Sequence, residues 1–365
     1  MKQISVKLKE NSYPIVVGDG LLPLLPEFLK KLRLGPDVVV ITNPLVNRLH
    51  GKALSASLLH KGYSLKFFEV EDSERAKSAD VAFDLVGRIA AYAADKKLVI
   101  IAFGGGVVGD LAGFVAAVYK RGVPFVQVPT TLLAQVDSSI GGKVAVDLPQ
   151  GKNLAGAFYQ PKLVLADTAL LGTLSERQLR NGLAEIIKYG VIKDAALFSY
   201  LEKNYAGILR AEPGALSHVV LASAAIKARV VELDEKETKG LRTILNFGHT
   251  LGHAVETAGG YEKYHHGEAV ALGMRAACAL SCLLKLMKPL EAARVETLLT
   301  AVGLPERVEG VPEARILKAM TFDKKFSGSR NRFVLCEAIG RVIVKEAVPA
   351  AMIVKALRSL LGPGV

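Results

Sequence analysis

The sequence predicts an α/β N-terminal domain with a parallel sheet, followed by an all-α C-terminal domain, with a cleft between them. Three observations predict it. Strand-like and helix-like segments alternate over the first half, one strand-like run ends in three consecutive glycines, and from about Thr173 the apolar spacing turns helical throughout.

The N-terminal MKQISVKLKENSYPIVVGDG alternates like a strand and lacks the apolar stretch and cleavage site of a signal peptide. DVVVITN and SLKFFEVED read as short strands, with a helical VNRLHGKALSASLLHKG between them and VAFDLVGRIAAYAAD after them. LVIIAF is a continuous β-rich run that meets GGG, and FVQVP is a further strand. Strands separated by helices pair in parallel, so residues 1–172 are expected to form a nucleotide-binding α/β domain. The segments SERQLRNGLAEIIKYGVI, GALSHVVLASAAIKARVVELDE, RTILNFGHTLGHAVETAGG, HGEAVALGMRAACALSCLLKL and LEAARVETLLTAVG all carry 3.6-residue periodicity. Residues 173–365 are therefore expected to be α-helical.

Composition excludes several classes. Half of the 365 residues are hydrophobic and 22% are charged, which suits a globular chain and not a disordered one. No apolar run reaches the roughly 20 residues of a membrane span, so a cytosolic protein without a membrane partner is expected. The net charge of +12 comes from scattered basic residues, and with aromatics at 6% no nucleic-acid partner is expected. A solvated basic surface, or attraction of small anionic substrates, accounts for it. Cys278, Cys282 and Cys336 have no framework spacing and read as core thiols.

Gly104, Gly105 and Gly106 let backbone N–H groups approach a pyrophosphate at a helix N-terminus, and Asp110 reads as a cap opening that helix. The run is not G-x-G-x-x-G, and a tight turn would use the same residues. Asp72, Glu74 and Lys77 follow the FFEV strand, where acidic groups can accept from ribose hydroxyls or simply face solvent. Thr130 and Thr131 lie past a strand's C-terminal end, where α/β ligands bind and where turns are also capped.

Metal ligands are offered in three places: Glu185, the pair His249 and His253, and the pair His265 and His266. His249 and His253 share a helix face. Leu251 and Gly252 exclude the H-E-x-x-H motif, and spacing alone leaves open which three residues meet. Two imidazoles and a carboxylate suit zinc, with cobalt an alternative, and leave positions for substrate oxygens. Glu185 and Lys188, three apart, put a ligand and a cation on one face, or form an exposed ion pair.

The stretches GGGVVGDLAGF, YKRGVPFVQVPTTLLAQVDSSIGGK, GKNLAGAFYQP, GLAEIIKYG, GLRTILNFGHTLGHA, HGEAVALGM and DKK, in this order, resemble the 3-dehydroquinate synthase family over nearly the whole chain. That resemblance implies NAD and zinc as cofactors, a sugar-phosphate substrate, a homodimer and a cytoplasmic enzyme of the shikimate pathway. It aligns Glu185, His249 and His266 with zinc ligands. For NAD it implies Asp72, Ser73, Glu74, Arg75, Ala76, Lys77, Gly106, Val107, Val108, Gly109, Asp110, Thr130, Thr131, Lys143, Lys152, Leu170, Leu171, Gly172 and Thr173. For substrate and catalysis it implies Asp137, Asn153, Lys188, Lys227, Arg242, Asn246 and His253. Lys143, Lys152, Arg121 and Lys324 or Lys325 are implied around the phosphate and carboxylate, with Arg121 reaching a neighbouring subunit.

The implied reaction is a phosphate-eliminating cyclisation of 3-deoxy-D-arabino-heptulosonate 7-phosphate. A carbon is transiently oxidised by NAD, phosphate leaves, the hydride returns, and the opened ring closes as a carbocycle. His253 and Asn153 would orient oxygens while the substrate's own phosphate assists proton removal. The loop ELDEKETKGLR is one residue longer than the common family form, so a substrate-facing acid is Glu237 or a neighbour. Other sugar-phosphate cyclases, a glycerol-dehydrogenase-type enzyme and a non-catalytic binding protein are the alternatives.

Overall fold

A computed structural model describes residues 1–322 and 331–362. The chain divides into two compact units, Met1–Ser175 with Pro213–Lys236, and Glu176–Glu212 with Glu237–Val365.

The first unit is built on β1 (Lys2–Val6), β2 (Tyr13–Gly18), β3 (Asp37–Thr42), β4 (Ser64–Glu69), β5 (Leu98–Gly104), β6 (Phe125–Pro129), β7 (Lys143–Leu148), β8 (Gly151–Phe158) and β9 (Leu163–Asp167). Seven strands form one sheet in the order β1-β2-β9-β6-β5-β3-β4. All neighbours run parallel except β1 and β2, an antiparallel hairpin at the edge. The β7–β8 hairpin stands apart as a two-stranded sheet.

Alternation along the central strands fills both faces. Val39, Ile41, Ile100 and Ala102 pack under the Ala79–Ala93 and Gly106–Val118 helices, with Leu85, Ile89 and Leu111. Val38, Val40, Val99, Ile101 and Phe103 face the opposite core, with Leu25, Leu54 and Leu58. A strand apolar on both faces must be covered on both, which fixes the layered arrangement.

One buried carboxylate joins the sheet to the chain crossing its edge. Asp167, at the end of β9, accepts from the backbone N–H groups of Gly20, Leu21, Leu22 and Ala169 at 2.8, 2.6, 2.9 and 3.1 Å. Such saturation is what permits an acid to lie in the interior.

The sequence reading ended the first domain at residue 172 and gave everything later to the second. In the structure the Pro213–Leu233 helix groups with the first unit. Its Glu232 accepts from the Lys7 backbone at 2.9 Å, and Ser217 meets Thr168 at 3.2 Å. By length and composition this helix is apolar enough to cross a membrane; its apolar residues Leu216, Val219, Val220, Val230 and Val231 are buried in the fold.

The second unit holds the helices Glu176–Lys193, Ala195–Leu209, His249–Ala258, His266–Leu283, Pro289–Ala301, Glu313–Phe322 and Ala350–Arg358. It is helix-rich but not all-α. A hairpin of β10 (Arg332–Ala338) and β11 (Arg341–Glu346) packs Phe333 and Leu335 into the helical core. Its signal is the alternating RFVLCEAIGRVIVKE, with the helix-breaking Gly340 at φ +90° in the turn. The periodic stretch from Arg242 to Gly260 also divides. Residues Leu241–Asn246 form a 3-10 turn, Gly248 adopts φ +79°, and the α-helix begins only at His249. Cys278 and Cys336 are buried free thiols, as expected, while Cys282 is half-buried.

Glycine sets how closely the helices of this unit approach. A Cβ on Gly273 would lie 1.7 Å from the Gly248 carbonyl oxygen, and one on Gly267 would lie 2.1 Å from the Asn181 carbonyl oxygen. The Asn181 side chain also accepts from the Gly267 backbone at 2.5 Å. The His266–Leu283 helix thus meets the Glu176–Lys193 helix and the start of the His249–Ala258 helix backbone to backbone.

Two glycine substitutions of opposite sign test this. Gly273→Ala should destabilise the fold by about 3 kcal/mol, because helix backbones must separate. Gly87→Ala, on an exposed helical face with open space around the added methyl, should stabilise it by about 0.5–1 kcal/mol. Chemical denaturation of both variants reads the difference, and equal effects would contradict the packing described.

Candidate active site

In the second unit the Glu176–Lys193, His249–Ala258 and His266–Leu283 helices each contribute a potential ligand. Glu185, His249 and His266 present one carboxylate oxygen and two ring nitrogens that all lie within 4.8 Å of one another. Nε2 of His249 and Nε2 of His266 are each 3.6 Å from the same Glu185 oxygen, Oε1. The other oxygen, Oε2, is held by the Lys188 ammonium. Both residues of that pair are buried, so the surface ion pair that the spacing also allowed is not what forms.

The two histidines are prepared differently. His249 Nδ1 lies 3.2 Å from the Phe247 carbonyl, which can only accept, so the ring proton sits on Nδ1 and Nε2 keeps its lone pair. Burial, reinforced by Lys188, holds His249 well below its ordinary pKa and keeps the ring neutral. Burial alone would lower His266, but bonding to Glu185 and Glu256 outweighs it and pushes the ring up to about 10. Proton and cation therefore compete for His266 Nε2. His253 completes a cluster of three imidazoles, with ring centroids 5.2 Å from His249 and 6.1 Å from His266. The donor set fits a divalent cation of the zinc type and leaves positions for substrate oxygens. Arg242 lies buried in the 3-10 turn that also carries Asn246, ahead of the histidine helix.

The first unit gathers most of the residues expected to hold a nucleotide. The helix after β5 starts at Gly106 with Gly105 in the cap position, and no side chain caps its first turn. Backbone N–H groups and the helix dipole are what that turn offers to an anion. Asp110 is not the cap expected from the sequence. It lies one turn inside the helix, because the glycines themselves begin it, and its carboxylate pairs with Lys77 at 2.5 Å. Lys77 is buried and also donates to Asn153 Oδ1 at 2.5 Å. Burial would pull its ammonium pKa down, but Asp110 outweighs that and raises it. Glu74 pairs with Lys152 at 3.3 Å, and Asp72 accepts from Asn43 at 2.6 Å. Ser73, Arg75 and Ala76 belong to the same short turn.

Thr131 accepts from the Ala134 backbone at 3.2 Å, the capping role that its position allowed, and Thr130 is buried beside it. Leu170, Leu171, Gly172 and Thr173 form a 3-10 turn, where Thr173 meets His50 at 3.0 Å. Lys227 donates to the Asp137 carbonyl at 2.6 Å and to its carboxylate at 2.7 Å. Lys143 opens β7, and Arg121 follows Lys120 in a turn where both residues have positive φ. Lys324 and Lys325 lie outside the described residues.

One carboxylate beside this cluster is not among the residues the sequence singles out. Glu256 Oε2 lies 3.6 Å from His266 Nδ1. His249, His253 and Glu256 fall at i, i+4 and i+7 on one helix face, a spacing that could have revealed it. His265 was offered as a ligand equally with His266. It is the cap residue of the next helix, where its backbone N–H donates to Glu268 at 2.8 Å.

Family models described as 3-dehydroquinate synthase N-terminal and 3-dehydroquinate synthase C-terminal match residues 67–181 and 182–326. A 3-dehydroquinate synthase of Pelotomaculum thermopropionicum is 49% identical over 350 residues, covering 95% of this chain and 94% of that protein. Among solved structures, 2-epi-5-epi-valiolone synthase from Streptomyces hygroscopicus subsp. jinggangensis, with NAD+ and Zn2+ bound, is 30% identical with a TM-score of 0.88, covering 97% of this chain and 98% of that one. A 2-deoxy-scyllo-inosose synthase complexed with carbaglucose-6-phosphate, NAD+ and Co2+ shares the fold at a TM-score of 0.90 and 24% identity, covering 99% of this chain and all of that one.

Replacing His266 by Ala should reduce bound zinc from one ion per chain to under about a tenth of that, read by elemental analysis after dialysis. Circular dichroism should stay unchanged, since the half-buried ring supports no core. Full zinc content in this variant would remove His266 from the ligand set.

Proposed function

The chain belongs to the 3-dehydroquinate synthase family, and on that footing we propose that it converts 3-deoxy-D-arabino-heptulosonate 7-phosphate into 3-dehydroquinate and inorganic phosphate. NAD and a divalent cation, zinc or cobalt, serve as its cofactors, and it is a carbon–oxygen lyase. The observation that carries the reading is the convergence of Glu185, His249 and His266 within 4.8 Å, a donor set for a Lewis-acidic ion.

When bound, the cation polarises a substrate oxygen and NAD accepts and returns a hydride. The residues of the chain bind and orient. Glu185, His249 and His266 would hold the cation, and Lys188 pairs with the Glu185 carboxylate in the interior. The Gly106–Asp110 turn and the Asp72–Lys77 turn receive the nucleotide's phosphates and ribose, with Thr130, Thr131 and the 170–173 turn beside them.

Lys143, Lys152, Lys227 and Arg242 supply positive charge for a substrate that carries both a phosphate and a carboxylate. Asp137 holds one of these lysines, Lys227, at 2.7 Å, and Asn153 accepts from Lys77 of the nucleotide turn at 2.5 Å. Asn246 and His253 orient hydroxyl oxygens near the cation.

The enzyme works as a homodimer in the cytoplasm. Arg121 serves a neighbouring subunit's phosphate site; it is exposed, in a turn where it and Lys120 both have positive φ. Three free thiols suit a reducing compartment.

Purified protein supplied with NAD and zinc should release one inorganic phosphate per heptulosonate phosphate without accumulating NADH, measured by a phosphate assay and by absorbance at the NADH band. Lasting NADH would identify a dehydrogenase. Inertness here, with turnover of sedoheptulose 7-phosphate, would identify a cyclase of different specificity.

A further inference from the structure

His266 lies between two carboxylates. Its Nε2 faces Glu185 and its Nδ1 faces Glu256, each at 3.6 Å. For a histidine that binds a cation through Nε2, the group at Nδ1 fixes the tautomer and the plane of the ring. His249 receives this from the Phe247 carbonyl. We propose that Glu256 is the positioning residue for His266, facing its Nδ1–H electrostatically, directing Nε2 toward the cation beside Glu185 and offsetting part of the cation's charge. The inference rests on the reading of Glu185, His249 and His266 as ligands.

Placement and charge both support it. Glu256 and His249 share a face of one helix, so the residue that orients one ligand is rigidly tied to another. The Glu256 side chain is mostly buried, which strengthens its field at the ring. A divalent ion with Glu185 and Lys188 alone would leave two positive charges in a buried cluster, and Glu256 removes one. The carboxylate also makes the imidazole a stronger donor to the cation. Glu256, His253 and His266 themselves lie within 4.8 Å of one another, so a second cation bound there is the competing use of the same carboxylate.

Full-length protein titrated with zinc against a chromophoric chelator tests the proposal, alongside the visible spectrum of the cobalt(II) form. Glu256→Ala should raise the zinc Kd by about 10–100-fold and shift the cobalt bands. Glu256→Gln, which keeps the shape and an acceptor oxygen but loses the charge, should weaken zinc by less and serves if the alanine variant does not fold. NAD affinity, a property of the other unit, should stay within about twofold in both. A zinc Kd within twofold of wild type together with unchanged cobalt bands would overturn the role, as would two zinc ions per wild-type chain falling to one in the variants. Wild-type protein that binds no zinc would instead defeat the ligand assignment itself.

Discussion

Three helices of the second unit meet where side chains have been removed, and its chemistry depends on that closeness. With Gly273 against the Gly248 carbonyl and Gly267 against that of Asn181, the His266–Leu283 helix lies at backbone contact with its neighbours. Helices separated by ordinary side chains stand about 8–10 Å apart between axes. Short ligands such as histidine and glutamate converge on one ion only if their backbones start close together. The same glycines explain why His249 begins its helix: the positive φ of Gly248 turns the chain immediately before it and leaves the Phe247 carbonyl facing the ring.

Charges are taken into the interior of both units in pairs. Glu185 with Lys188, and Lys77 with Asp110, are each largely shielded from solvent, and Lys227 with Asp137 nearly so. Pairs of this kind contribute little net stability, because desolvation offsets most of the attraction. What they provide is position. An ammonium fixed to a carboxylate cannot sweep its rotamers, so a polar ligand meets a surface already arranged. Asp167 does the same for the backbone, where four N–H donors on one carboxylate lock the 20–22 segment to the end of β9.

Much of this was legible in the sequence where one physical signal dominated. The runs DVVVIT and LVIIAF are apolar on both faces and became central parallel strands, β3 and β5. Glu185, His249 and His266 were legible only through the family resemblance, since spacing offered His253 and His265 equally. Local rules failed where tertiary structure intervened. Asp110 reads as a cap, yet preceding glycines already open the helix and a distant lysine claims its carboxylate. RTILNFG has helical spacing, but Gly248 takes a conformation that stops the helix. Glu256 shares a helix face with His249 and His253, so its spacing marks it as a candidate, but its meeting with His266 on another helix is not encoded in any one segment. In the β7–β8 hairpin only β7 alternates, while β8, with its Gly and Ala, lacks a strong alternating pattern.

The Pro213–Lys236 segment returns to the first unit after the chain has begun the second, so the chain passes between units three times. During synthesis the sheet of the first unit is complete by Asp167, while the helix that covers β1 and β2 is still untranslated. About 60 more residues must be added, which takes roughly 3–12 seconds on the ribosome. Over that interval β1 and β2 lack the helix that packs on them, and by length and composition that helix is, among the described residues, the one apolar enough to cross a membrane. The two units are therefore a single translational product: no ribosome releases the first in finished form before the second is under way.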